Sequence, residues 1–284
     1  MALPTLTALI ALLEEHYVIQ ERVPQITAAL LADHHLTELD PPASVAAELT
    51  RRLSDSSGDL HLRVRTRSAT PNTEAQEDFH VRMEREARAN AGGIKAVTRL
   101  DAHTALITIA PYLSEVHLSA GYLDAAFALV ADARRLIIDV RAGTGGTPST
   151  VAYVCGYLLG DAPAYLQDVV ERDGTTRQFW TTPNPSRLPD DMRVAVLVSG
   201  ETFSGCEELA YDLQALGRAT IIGERTRGGA HPVRAFRLTD DLEVAIPVAR
   251  SVNTVTGGNW EGTGVTPDIV TAADDALATA LARL

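Results

Sequence analysis

Lysine is nearly absent from this 284-residue chain: Lys95 is the single one, and every other basic side chain is arginine or histidine. A mechanism that pairs a serine with a lysine can therefore use one position only. Basic residues are also outnumbered, because 25 lysines and arginines face 37 aspartates and glutamates, for a formal net charge of -12. Such an acidic balance argues against binding to nucleic acid or to an anionic membrane surface.

Cysteine is also scarce, with Cys155 and Cys206 as the two representatives. Their spacing contains no C-x-x-C pair, which argues against a zinc site and against a disulfide scaffold. Both are typical of small buried apolar residues. Cys206 lies two residues after Ser204 and is kept as a minor alternative nucleophile. We expect no bound metal ion and no cofactor.

Long apolar runs are missing too, and no segment is long enough to span a bilayer. The apolar run from Leu3 to Leu13 has no basic residues before it and no small-residue cleavage site after it, and it continues into Glu14. These features indicate a helix and not a signal peptide. A cytoplasmic protein is the expectation.

The first part of the chain has the pattern of a small helical domain. Apolar residues recur at helical spacing from Leu6 to Tyr17, and prolines at Pro24 and Pro41 mark the starts of two further helices. A polar cluster then ends at Gly58. We therefore predict an N-terminal three-helix domain over residues 1–57 and a second domain over residues 58–284.

From His61 onward, strand patterns alternate with helix patterns. The predicted helices cover residues 121–133 and 147–159, the stretch after Ser204, and the end of the chain from Ala272. A polar segment from Ser68 to Gly93 is predicted to be a loop that contains a short helix. The predicted strands cover residues 61–67, 105–110, 136–140, 194–198, 219–223, 233–238 and 243–246. This alternation predicts an α/β fold with parallel strand pairings.

Ser204 occupies the most informative position in the sequence. An apolar strand ends at Val198, and the serine and a glycine then open a helix. A hydroxyl at such a turn lies beside unpaired backbone N–H groups, which can stabilise an anion. This is a suitable place for a nucleophile that forms a tetrahedral oxyanion. The alternative is structural, because Ser204 and Glu207 also fit the S-x-x-E capping box.

A glycine-bearing turn follows another predicted strand. In Gly143-Thr-Gly-Gly146 the backbone can approach a ligand closely and offer N–H groups. The amide of Gly205, together with that of Gly145 or Gly146, would complete an oxyanion hole. The spacing lacks the features of a phosphate-binding loop. A tight turn without function remains the alternative.

A reactive serine needs a general base, usually a histidine that a carboxylate orients. Of the eight histidines, His61 and His231 stand out because each adjoins a strand near a glycine-bearing turn. Either could instead be a structural or solvated histidine.

Four segments resemble, in order, the tail-specific (C-terminal processing) and tricorn peptidase family, and within it the branch of interphotoreceptor retinoid-binding protein and its bacterial relatives. The resemblance implies a crotonase/ClpP-like αβ spiral core with an N-terminal helical unit. The segments are Asp139-Val-Arg-Ala-Gly-Thr-Gly-Gly146, Ser204-Gly-Cys-Glu-Glu-Leu-Ala-Tyr-Asp-Leu-Gln-Ala-Leu-Gly-Arg-Ala219, Ile222-Gly-Glu-Arg-Thr-Arg-Gly-Gly-Ala-His-Pro232 and Asn259-Trp-Glu-Gly-Thr-Gly-Val-Thr-Pro-Asp268.

The same resemblance implies roles for individual residues. The processing branch carries a catalytic lysine late in the glycine-rich segment, but this chain has Arg227-Gly-Gly229 there. The tricorn branch uses a serine, a histidine and a glutamate, and these match Ser204, His61 and Glu261. His231 is the second choice for the base. Leu60 departs from the small or polar residue that often precedes the histidine in the family.

The prediction is a serine hydrolase, most simply a peptidase that acts on a peptide or a small acyl substrate. Two alternatives stay open on the sequence. One is a non-catalytic carrier of an apolar ligand such as a retinoid or fatty acid, because the retinoid-binding relatives share this fold. The other is an acyl-transfer enzyme that uses the same nucleophile. A shared fold does not separate these functions.

Overall fold

The computed structural model describes residues 4–32, 40–67, 79–182, 184 and 186–284. Its α-helices are α1 (Pro4–His16), α2 (Val23–Leu31), α3 (Pro42–Ser57), α4 (Phe79–Ala89), α5 (Val116–Ala128), α6 (Pro148–Gly156), α7 (Gly205–Ala215) and α8 (Ala276–Arg283). Its strands are β1 (Arg63–Thr66), β2 (Ile94–Arg99), β3 (Thr104–Ile109), β4 (Arg135–Asp139), β5 (Tyr165–Glu171), β6 (Thr176–Trp180), β7 (Arg193–Val198), β8 (Thr220–Gly223), β9 (Val233–Arg237), β10 (Leu242–Pro247), β11 (Ala249–Asn253) and β12 (Ile269–Val270).

The chain divides into two compact units. The smaller unit comprises Met1–Glu77, Val169–Arg177 and His231–Ser251. The larger unit comprises Asp78–Asp168, Gln178–Ala230 and Val252–Leu284. The division at residue 57 drawn from the sequence stays a prediction.

A six-stranded mixed sheet, in the order β12-β8-β7-β4-β3-β2, forms the centre of the larger unit. All neighbouring pairs in it are parallel except β2 and β3. Ile138 and Val196 belong to the core that includes α5, α6 and α7, whereas Ile137 and Ala195 belong to the core that includes α8. Because successive side chains of a strand point to opposite faces, helices cover this sheet on both sides.

The order of the strands positions the site. In β4 and β7, which are parallel neighbours, Asp139 lies opposite Leu197. The loops that follow these two strands therefore leave the sheet at the same edge, where ligand sites of open α/β sheets form. One of these loops contains Gly143 to Gly146, and the other leads to Ser204.

The smaller unit contains α1, α2, α3 and the antiparallel sheet β1-β10-β9. Its core joins Leu9 and Leu13 of α1 and Leu53 of α3 to Val64 of β1 and Val244 of β10. A third sheet has the strand order β11-β5-β6.

Most predicted elements are confirmed, and the differences have physical causes. The helix predicted over residues 121–133 has the wrong bounds, because α5 covers Val116–Ala128. The turn after it buries Val130 and Ala133, and this continues the apolar periodicity past the end of the helix. In the segment predicted as a loop with a short helix, that helix is α4, and residues 68–78 lie outside the described part of the chain.

Candidate active site

The turn between β7 and α7 holds Ser204 in an unusual backbone conformation. Ser204 has φ 55° and ψ -125°, and it is the residue before the first turn of α7. A residue other than glycine in this backbone conformation costs about 1–3 kcal/mol, and the conformation persists only where the surroundings enforce it. Helix capping alone does not require it, since capping residues ordinarily have an extended backbone. A strained strand-to-helix turn of this kind is typical of a serine nucleophile.

The glycine-bearing loop contacts this turn through the backbone. A Cβ atom placed on Gly205 would lie 2.7 Å from the N, Cα and C atoms of Gly146. The thiol of Cys206 donates to the Gly145 carbonyl at 3.2 Å, which ties the loop to α7. Within the described residues no acceptor bonds the N–H groups of Gly145, Gly146 or Gly205. The three glycines predicted from the sequence thus come together beside Ser204.

Cys206 does not have the surroundings of a nucleophile. Its side chain is fully buried, and burial raises the pKa of the thiol to about 12. A thiol reacts as the thiolate, so such a group is inert at neutral pH.

Glu207 fixes the serine turn against the glycine-rich segment after β8. Its buried carboxylate accepts from the N–H groups of Ser204 at 2.8 Å, Gly228 at 2.6 Å and Gly229 at 2.9 Å. The Thr226 hydroxyl also donates to it. Burial raises the pKa of Glu207, and these hydrogen bonds offset part of that effect. The predicted capping pair is therefore present, but its carboxylate also holds a second segment that the sequence did not connect to it.

Glu261 is attached to the same glycine-rich segment. Its Oε2 accepts from the N–H of Ala230 at 2.6 Å. The indole of the neighbouring Trp260 is buried and donates to the Gly229 carbonyl at 2.8 Å. The larger unit thus carries both Ser204 and Glu261 on elements that bond to residues 228–230.

Arg227-Gly-Gly229 lies in the segment where the family resemblance places a catalytic lysine. The Arg227 guanidinium carbon lies 4.5 Å from the centroid of the Phe203 ring, which precedes the serine. Lys95 lies on β2, three strands from β7 in the sheet order. At about 4.8 Å per strand this is roughly 14 Å, beyond the reach of a lysine side chain. The strand order therefore argues, together with the motif, against a serine–lysine pair.

Both candidate histidines lie in the smaller unit, around Asp59. All three side chains are buried. Oδ2 of Asp59 accepts from the Tyr17 hydroxyl at 3.1 Å and lies 3.4 Å from Nδ1 of His231, while Oδ1 accepts from the backbone N–H of His61 at 3.0 Å. Burial alone would raise the pKa of Asp59, but the hydrogen bond and charge of His231 lower it on balance.

Sequence reasoning did not identify Asp59 and Tyr17 as parts of this cluster. The Asp59-x-His61 spacing was a usable signal, because an aspartate readily accepts from the backbone two residues on. Tyr17 lies 42 positions before Asp59, and no local pattern connects them.

A pair of buried carboxyl groups lies along α7 beyond Glu207. Glu208 accepts from the amide of Gln167, and Asp212 accepts from the amide of Asn253 at 2.9 Å. Within the described part of the chain, Oδ2 of Asp212 and Oε1 of Gln167 are buried without a hydrogen-bond partner. Burial raises the pKa of Asp212 to about 7. Burial and the nearby charge of Asp212 raise that of Glu208 as well.

Within each unit taken by itself, the described residues hold no three His, Cys, Asp or Glu side chains whose ligand atoms could share a metal ion. None of the helices that the structure describes is both long and apolar enough to cross a bilayer.

Comparison with known proteins links this geometry to a family. The sequence profile of peptidase family S41 matches residues 103–271. The carboxyl-terminal-processing protease of Synechocystis sp. (strain ATCC 27184 / PCC 6803 / Kazusa) is 32% identical over 114 residues, which are 40% of this chain and 26% of that protein. The chain thus matches about a quarter of the length of this curated relative.

Solved structures share the fold. The photosystem II D1 C-terminal processing protease superimposes with a TM-score of 0.57 at 16% identity, over 95% of this chain and 93% of that one. A lipoprotein from Streptococcus agalactiae superimposes with a TM-score of 0.61 at 15% identity, over 99% and 96% of the two chains. Similarity at these identities shows the mixed α/β fold and not a function.

Proposed function

Because the chain belongs to peptidase family S41, we propose that it is a serine peptidase whose nucleophile is Ser204. The observation that carries this proposal is the strained backbone of Ser204 in contact with the glycine-bearing loop. A capping serine needs neither feature, whereas a strained turn is typical of a serine nucleophile and an oxyanion hole needs the nearby backbone donors.

The proposed reaction begins with attack of the Ser204 hydroxyl oxygen on the peptide carbonyl carbon. A histidine accepts the hydroxyl proton, and the negative charge that develops on the carbonyl oxygen is held by the amide of Gly205 and that of Gly145 or Gly146. Loss of one such donor typically costs about 2.7–4 kcal/mol in the barrier. The proton then passes to the leaving amine as the C–N bond breaks, and water hydrolyses the acyl-enzyme.

The histidine is His61 or His231. The family resemblance favours His61, with Glu261 orienting its ring or the hydroxyl network. The contact between Asp59 and His231 favours the second histidine, because a carboxylate beside an imidazole is the arrangement that prepares a base.

The finer fold assignment is also part of this proposal. We propose that the six-stranded sheet is the core of a crotonase/ClpP-like spiral, that the N-terminal helices form a separate domain, and that the chain belongs to the retinoid-binding-protein-like branch. The similar proteins support a peptidase that cleaves peptides. They do not support the two alternatives, a carrier of an apolar ligand and an acyl-transfer enzyme.

Peptide hydrolysis tests this function. Wild type, Ser204→Ala and Ser186→Ala would be compared on a set of internally quenched fluorogenic peptides; Ser186 is an exposed serine of the same unit. We expect Ser204→Ala to lose at least about 10³-fold in kcat/KM and Ser186→Ala to match wild type. Equal hydrolysis by wild type and Ser204→Ala would reject Ser204 as the nucleophile.

A further inference from the structure

A buried carboxylate, Asp59, lies beside His231 in the smaller unit. Asp59 is 1% exposed, and no arginine or lysine among the described residues pairs with it. Among the described residues, the side chain that can balance the charge of Asp59 is therefore a histidine imidazole. A buried carboxylate without a full cation is costly, so its position calls for a physical explanation.

The contact with His231 defines which ring nitrogen carries a proton. An ionised carboxylate only accepts hydrogen bonds, so Nδ1 of His231 must be the donor to Oδ2 of Asp59. In the neutral ring, the lone pair then lies on Nε2. The separation of 3.4 Å is long, as is common for catalytic hydrogen bonds before substrate binds.

Two other groups hold the carboxylate in this orientation, and a third holds the backbone of Asp59. The Tyr17 hydroxyl donates to the oxygen that faces His231, and the His61 N–H donates to the other oxygen. The Asp59 N–H donates to the Ser57 hydroxyl at 3.0 Å. Tyr17 is fully buried, so it cannot move aside without disturbing the core. Asp59 is thus fixed independently of the imidazole that it faces.

We propose that Asp59 is a positioning residue that orients His231 and prepares its Nε2 as the proton acceptor of the peptidase reaction. This inference rests on the proposed function and refines it. Asp59 stays ionised throughout and stabilises the imidazolium.

Activity measurements on the full chain separate this assignment from its rival. We expect His231→Gln to lose at least about 10³-fold in kcat/KM and His61→Gln to lose clearly less. His103→Gln, which changes an exposed histidine, is the control and should match wild type. The reverse order, with His61→Gln inactive and His231→Gln active, would overturn the proposal.

Variants of the carboxylate test positioning against a purely structural role. We expect Asp59→Asn to lose about 10²–10⁴-fold in kcat/KM, because an amide can donate to the ring and favour the wrong tautomer. The loss should appear in kcat with KM little changed, and Asp59→Glu should recover part of the activity. A lower melting temperature with unchanged kcat and kcat/KM would show that Asp59 only braces the fold.

A measurement on resting protein separates failure of this inference from failure of the proposed function. Nitrogen-15 NMR of the histidine rings should show the neutral His231 protonated on Nδ1 in wild type, with this preference lost in Asp59→Asn. A neutral His231 protonated on Nε2 would overturn the inference whether or not peptides are cleaved. Equal hydrolysis by wild type and Ser204→Ala would instead reject the proposed function.

Discussion

Replacement of Asp212 by asparagine should stabilise the protein at alkaline pH. Asp212 is fully buried on α7, and its Oδ2 has no hydrogen-bond partner among the described residues. An asparagine keeps an oxygen that can accept from Asn253 and brings no charge into the core. The variant therefore resembles the protonated form of the wild-type side chain.

The magnitude follows from linkage between protonation and folding. Burial raises the pKa of Asp212 to about 7, whereas an unfolded aspartate titrates near 3.9. Between these values the native state binds more protons than the unfolded state, so wild-type stability falls as the pH rises from about 4 to about 7. The slope approaches 1.4 kcal/mol per pH unit, which gives an upper limit of about 4 kcal/mol above pH 7. Asp212→Asn does not undergo this loss of stability, because its side chain does not ionise.

Urea unfolding at pH 4.5 and pH 8.5 measures the effect. We expect Asp212→Asn and wild type to differ little at the lower pH, and the variant to be more stable by up to about 4 kcal/mol at the higher pH. Asp191→Asn, which changes an exposed aspartate of the same unit, should show no such pH-dependent gain. A variant that is less stable than wild type at pH 8.5, or a difference independent of pH, would refute the reasoning.

Three other changes have defined outcomes. Gly205→Ala places a methyl group 2.7 Å from the Gly146 backbone and should lower kcat/KM by about 10²–10³-fold through a displaced oxyanion loop; wild-type kinetics would contradict this. In urea unfolding, Ser204→Gly should have a free energy of unfolding about 1 kcal/mol higher than that of Ser204→Ala, because glycine relieves the positive φ and both variants are inactive. The opposite order would show that the turn is unstrained. Lys95→Ala should retain wild-type peptide hydrolysis, since a large loss would revive a serine–lysine mechanism.

The part of the site that could be predicted from the sequence lies at strand ends. Ser204 and Gly143 to Gly146 each follow an apolar strand, and parallel neighbours bring their carboxyl ends to one edge. Local sequence therefore sufficed to predict that the Ser204 turn and the glycine-bearing loop lie together. The contacts of Glu207 with Gly228 and Gly229 depend on tertiary packing, and the capping box predicted one part of its role only.

Some fold elements lacked a readable pattern. The edge strand β2 has no clear alternation of buried and exposed residues, so periodicity did not reveal it. Most of β6 is exposed and polar, so its sequence also lacks a periodic apolar pattern. The cluster around Asp59 depends on a tyrosine and a histidine that are distant in sequence, and only the fold brings them together.

The most direct test of the central claim is the site at which a fluorophosphonate reacts. Peptide mapping after labelling should find a single phosphonylated residue, Ser204, in the wild-type protein and no adduct in Ser204→Ala. Labelling of a different residue, or equal labelling of both proteins, would contradict the assignment of Ser204 as the nucleophile.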